Sequence, residues 1–141
     1  MWSTTFQKAY SGVTVEQVWV VWTDVNNWHV WQDDIEYARL AGEFSAGTVI
    51  AFRPKGGPEI SIATTEVSPR QSFVDMTSFP LAKMRDSHVL NARPEGVEIV
   101  SMLSVEGPLS FVWVKLVAEG IAKSMEQQTE ALVRRAHELA R

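Results

Sequence analysis

The hydrophobic rhythm of the chain changes twice. Residues 4–10 alternate, with Phe6 and Tyr10 on one side, as a strand does. Thr14-Val-Glu-Gln17 then has the spacing of a capping box. A hydroxyl accepts one of the free N–H groups of a helix start, and a Gln three residues on returns the bond. Behind it Val15, Val18, Trp19 and Trp22 recur at i, i+3, i+4 and i+7, one face of an amphipathic helix. Asp24, Asn26 and Asn27 interrupt that helix, because their side chains compete for backbone hydrogen bonds. They also suit the cap of a second short helix, on which Trp28 and Trp31 share a side.

From Ile35 the period shortens to two. Strands are predicted at 35–41, 47–53, 59–67, 72–79, 83–93 and 96–105. Turn residues separate them: Gly42 to Gly47, Pro54 with Gly56-Gly57-Pro58, Ser68-Pro69-Arg70, Pro80, and Arg93-Pro94-Glu95-Gly96. Connections this short favour antiparallel neighbours, since a parallel crossover needs about a dozen residues or more. Pro108, after Gly107, opens a helix predicted to run to Ala140, about 33 residues and roughly 50 Å. Val114, Val117, Ile121, Met125, Leu132 and Leu139 form its core stripe. Lys115, Glu119, Lys123, Glu126, Glu130, Arg134 and Glu138 form its solvated face. The first turns, LSFVWVKLVA, are apolar nearly all round, as in a helix that is buried or covers something apolar beyond its own core. One strand, two small helices, six strands and a long helix predict an α+β layer in a single domain over residues 1–141. A long helix lying across a curved sheet leaves a groove suited to a small molecule.

Composition narrows the function more than the fold. The 141 residues are 45% hydrophobic and 21% charged, which places the chain among globular rather than disordered proteins. The absence of cysteine excludes disulfides, thiolate nucleophiles and cysteine-ligated zinc, and is compatible with a reducing cytoplasm. With 13 basic against 17 acidic residues, a net charge of −4 and no basic run, nucleic acid is not an expected partner. The opening MWSTTFQKAY lacks the charged-then-apolar pattern of a signal peptide. No stretch approaches the roughly 18 apolar residues of a membrane span. The expected location is therefore cytoplasmic.

The chain resembles the START-like helix-grip superfamily, also called SRPBCC, and within it the bacterial polyketide cyclase/dehydrase-type proteins. VEQVWVVWTDVNNWHVW is similar to that family's Val-Trp pair on the first helix, an Asp ending it, and Trp-x-x-Trp on the second. Ser87-His88 on the sixth strand, and SVEGPL leading into a long helix that closes on ALVRRAHEL, are also similar. The resemblance spans essentially the whole chain. It implies a seven-stranded antiparallel curved sheet, two short helices after the first strand, and a long C-terminal helix across the concave face with a cavity beneath. It brings no catalytic motif, because the superfamily holds binders, lipid carriers and enzymes alike.

The sixth strand offers the most suggestive chemistry. Met84, Asp86, His88 and Leu90 fall on its more apolar, inward side, and Lys83, Arg85, Ser87, Val89 and Asn91 on the other. A carboxylate two residues from a histidine on one face raises the His pKa and fixes its tautomer, as a general acid or base requires. The same pair equally serves as a satisfied polar contact that only orients a ligand. His29 and Asp33 share a helical side, but Asp34 and Glu36 do not complete a ligand pattern, so they read as a solvated face. Neither a metal nor a cofactor is expected. His137 complements the dipole at the end of the long helix. Gly56-Gly57 is followed by proline and a strand, a hairpin rather than a phosphate loop, and no serine lies in a nucleophile elbow.

Three functions are consistent with this pattern. In the first, a small hydrophobic or aromatic molecule binds between helix and sheet. Met84, Asp86, His88, Leu90, Ile99, Ser101, Leu103, Trp113 and Val117 line its site, and Trp28, Trp31 and Tyr37 sit at the rim. Trp19 and Trp22 are assigned to the core. In the second, the protein is a cyclase/aromatase- or dehydratase-like enzyme in which His88 and Asp86 move protons. In the third it is an interaction protein, whose tryptophan-rich surfaces and over-apolar helix start, with Phe111 and Val112, meet a partner or a second copy in a homodimer.

Overall fold

The structure, a computed structural model, describes residues 1–140. Its strands are β1 (Trp2–Ser11), β2 (Ile35–Arg39), β3 (Val49–Pro54), β4 (Ile60–Ser68), β5 (Ser72–Phe79), β6 (Ala82–Arg93) and β7 (Gly96–Glu106). They form one seven-stranded sheet in the order β1-β7-β6-β5-β4-β3-β2, every pair antiparallel. Strands β2 to β7 are a meander, as the short turns require. β1 closes the order from the far end of the chain, paired with β7 from Trp2 opposite Val105 to Ser11 opposite Gly96. Alternation decides which side faces inward. On β7, Val97, Ile99, Ser101, Leu103 and Val105 are buried, and the residues between them are more exposed.

Between β1 and β2 lie α1 (Val15–Thr23), a 3-10 turn (Val25–Asn27) and α2 (Trp28–Trp31). The capping box is present: Gln17 N donates to Thr14 Oγ1 at 3.2 Å, and Thr14 N donates to Gln17 Oε1 at 2.9 Å. Asn26 has a different task from the predicted cap. Its amide donates to Leu40 O at 3.2 Å while its carbonyl accepts from Leu40 N at 3.1 Å, which fastens the turn to the end of β2.

The long helix is not uniform. It runs through α3 (Ser110–Trp113), a π-helical stretch (Val114–Ala118) and α4 (Glu119–Leu139). The wide π turn points Val114 and Ala118 inward and leaves Phe111 and Leu116 about two-thirds exposed. The over-apolar start is thus only partly covered. Leu139, expected in the core stripe, is exposed instead, in the last turn of α4 beyond its final inward contact at Ala136.

The interior is divided into three clusters. One holds α1 and the end of α4 against β5, β6 and β7, around Trp22, Phe73, Leu90, Ile99 and Leu132. A second holds the π segment and the start of α4 against β6 and β7, around Met84, Leu103, Val105 and Met125. The third gathers Val25, Trp28, Ile35 and Ile50 beneath β2 and β3. Where the three meet, the side chains do not close the space.

Candidate functional site

A cavity of about 270 Å³ lies between the long helix and the inner face of β3 to β7. All three clusters contribute walls: Val117, Ile121, Met125 and Leu132 from the helix, Phe52, Ile60 and Ile62 from the sheet. Trp22, Trp28 and Trp31 close the side formed by α1 and α2. Trp28 is held by its own indole, which donates to Trp22 O at 3.0 Å. Gln32, Asp34 and Gln128 border the cavity where it nears the surface, and there Gln128 Nε2 donates to Asp34 Oδ2 at 2.9 Å, tying α4 to the segment before β2.

Against these apolar walls stands one polar group. On β6, alternation turns Met84, Asp86 and His88 into the cavity. The register of β5 places Asp75 directly opposite Asp86, and β7 places Ser101 opposite His88. Cross-strand partners share a face, so these side chains converge. His88 Nε2 stands 3.2 Å from Asp86 Oδ1, a contact of charge rather than an aligned hydrogen bond. That buried oxygen is left without a hydrogen-bond partner. The other ring nitrogen, Nδ1, is 3.2 Å from Ser101 Oγ. Phe73 stacks on the imidazole with centroids 4.6 Å apart, and Trp22 leans on it at 5.5 Å.

The charges respond to this crowding. Burial pushes Asp75 up, and the like charge of Asp86 adds to it against the opposing pull of His88, to about 8. For His88 burial acts downward, but the carboxylates of Asp86 and Asp75 outweigh it and hold the imidazole above its ordinary value. A carboxyl group raised to about 8 beside an imidazole held above its ordinary value gives the apolar cavity a hydrogen-bond donor next to a candidate acid.

The structure brings together Trp28, Trp31, Met84, Asp86, His88, Ser101 and Val117 of the residues expected there. It sets five others apart. Leu90, Ile99 and Leu103 face inward but are packed in the core clusters, not on the cavity wall. Trp113 turns toward the β5–β6 hairpin, stacked on Phe79 at 4.5 Å with its indole donating to Pro80 O. Tyr37 lies on the other face of β2, because a bulge between Ile35 and Tyr37 inverts the alternation. There its hydroxyl donates to Glu59 and Arg39 lies 4.0 Å over its ring. Trp22, expected only in the core, is also a wall. Asp75 has the strongest claim among residues the sequence did not reveal. The alternation Phe73-Asp75-Thr77 gives its face, but only the β5–β6 register brings it beside Asp86.

The fold has many relatives of low sequence identity. A protein of Mesorhizobium loti, MLL2253, superposes with a TM-score of 0.76 at 12% identity, covering 97% of this chain and 98% of its own. A norcoclaurine synthase of Thalictrum flavum, solved with a transition-state analogue, gives 0.72 at 12% identity over 99% and 98%. Ara h 8.0201 gives 0.69 at 14% identity over 99% and 100%. These likenesses concern the fold: the seven-stranded sheet gripping a long C-terminal helix. No curated protein matches the chain in sequence. The family model described as "Polyketide cyclase / dehydrase and lipid transport" matches residues 2–137. The chain therefore belongs to the polyketide cyclase/dehydrase and lipid transport family.

Proposed function

We propose that the protein binds a small, largely apolar molecule in the cavity between the long helix and the sheet, with the polar group on β5 and β6 orienting one oxygen or nitrogen of it. The observation that carries this reading is an apolar-walled space of about 270 Å³ with one convergent polar cluster. A cavity of about 150 Å³ holds a benzene, so this one suits a ligand of roughly two fused rings. Membership of a family that includes lipid carriers, and a norcoclaurine synthase of the same fold, agree with the reading.

Titration with 2-naphthol, followed by the fluorescence of Trp22, Trp28 and Trp31, tests it. Saturable quenching is expected in the native protein and its loss in Ile121→Trp, which fills the cavity from the helix side. Equal quenching in both proteins would overturn the proposal. Native mass spectrometry of protein purified from its own host would then name the natural ligand.

A second reading has an observation of its own. His88, within 3.2 Å of both Asp86 and Ser101 and clamped by Phe73, has the fixed orientation of a general acid or base. In that reading the protein is a cyclase- or dehydratase-like enzyme. His88→Gln then abolishes turnover while leaving 2-naphthol binding in place; a retained rate removes the catalytic role.

A further inference from the structure

We propose that Asp75, Asp86 and His88 form a site for one divalent transition-metal ion such as Zn²⁺, Mn²⁺ or Fe²⁺. Each side chain offers one ligand atom, and these atoms all lie within 4.8 Å of one another. Ligands at about 2.1 Å from one ion stand roughly 3 to 4 Å apart, so the three need close only slightly around it. The 3.2 Å between His88 Nε2 and Asp86 Oδ1 already has that spacing. One imidazole and two carboxylates suit borderline first-row ions, where a purely carboxylate set would suit Mg²⁺ or Ca²⁺.

Three further observations point the same way. First, Ser101 Oγ at 3.2 Å is placed to accept the Nδ1 proton of His88. With Nδ1 turned to Ser101, Nε2 is the nitrogen that faces the carboxylates and the one a metal would take in exchange for any proton on it, the usual arrangement of a metal-bound histidine. Phe73 and Trp22 fix the ring in this attitude. Second, Asp86 Oδ1 is shut off from solvent with no hydrogen-bond partner, an acceptor left vacant where native interiors rarely leave one. Third, Thr64, directly opposite Asp75 on β4 and 1% exposed, also keeps its hydroxyl unpartnered. Across the sheet, Thr64, Asp75 and Asp86 make one row of polar groups, in which Thr64 Oγ1 and Asp86 Oδ1 are unpartnered. An ion would draw both carboxylates together and supply the partner that Asp86 Oδ1 lacks. Three protein ligands leave further coordination positions open toward the cavity, as in sites that bind a substrate oxygen rather than in closed structural ones.

The sequence points away from a metal, because Asp34 and Glu36 do not complete a ligand pattern around its visible His–Asp pair, His29 and Asp33, and the structure leaves that pair exposed on the surface. The set described here is assembled from two strands, and no local motif announces it.

Isothermal titration of the chelator-treated protein with Zn²⁺ alone tests the site, and its outcome is independent of the apolar ligand. One ion per chain is expected, with proton release that appears as a heat dependent on the buffer. Asp75→Asn and His88→Gln, shown to be folded by circular dichroism, are each expected to weaken binding at least about 100-fold. Ser101→Ala is expected to weaken it about 10-fold, the usual cost of losing an outer partner. Co²⁺ bound to the native protein should give a visible d–d band that Asp75→Asn removes. Absent binding, or binding equal in native, Asp75→Asn and His88→Gln proteins, overturns the proposal and assigns any bound zinc to surface groups such as His29.

Discussion

Asp75→Asn should make the metal-free protein more stable, and increasingly so as the pH rises. Asp75 faces an apolar cavity opposite Asp86, and its carboxyl group is raised to about 8 from an ordinary 3.8. A raised pKa means that the native state holds a proton that the unfolded chain gives up. Stability tied to this group is fully present below about 3.8 and is lost as pH climbs toward about 8. Taken whole, that gap corresponds to about 5 kcal/mol at pH 8. Cavity water and the charge of His88 offset much of it. The expected gain is about 1–3 kcal/mol, the scale of one poorly compensated buried polar group. Asparagine keeps the shape and carries an N–H₂ that can reach the vacant Asp86 oxygen. Thermal unfolding in the presence of chelator at pH 4.5 and pH 8 measures the effect. The two proteins should differ little at pH 4.5, and at pH 8 the variant should melt roughly 3–10 °C higher. A difference independent of pH, or a variant less stable at pH 8, would refute the reasoning. A native residue that costs stability while nothing occupies its site is the pattern expected of a functional group rather than a structural one.

Three further changes probe the frame that holds the cavity. Gly96→Ala should destabilise by more than about 3 kcal/mol, because a Cβ there would lie 1.9 Å from Tyr10 O where β1 joins β7; a melt within a degree or two of native would contradict the packing. Thr14→Ala removes the capping-box hydroxyl of α1 and should cost about 1 kcal/mol in urea unfolding, with 2-naphthol binding retained. Trp28→Phe leaves the Trp22 carbonyl unpaired beside the cavity and should cost about 1 kcal/mol while loosening the aromatic wall, seen as weaker quenching by 2-naphthol.

Much of this fold was legible in the chain because its signals are local. Period-two alternation, glycine and proline turns and one capping box located every strand and α1. The face of β6 that carries Met84, Asp86 and His88 followed from alternation alone. What stayed hidden depends on contacts between distant segments. Parity placed Leu90, Ile99 and Leu103 on the inner face, but which stretch of that face the helices cover is decided by how α1 and α4 pack. Tyr37 kept the right alternation on paper and lost it to one bulge. Asp75 looked like an ordinary strand residue, since its chemistry arises only when β5 and β6 align it with Asp86. The π-helical stretch from Val114 to Ala118, which presents Val117 to the cavity, has no sequence signal that periodicity detects.

The most direct test of the ligand-binding account is a crystal structure of the protein soaked with 2-naphthol. The account predicts electron density for the ring system between Ile62, Ile121 and Met125, its hydroxyl directed at the Asp75–Asp86–His88 group. Side chains closing that space, or the molecule bound only on the outer surface, would contradict it.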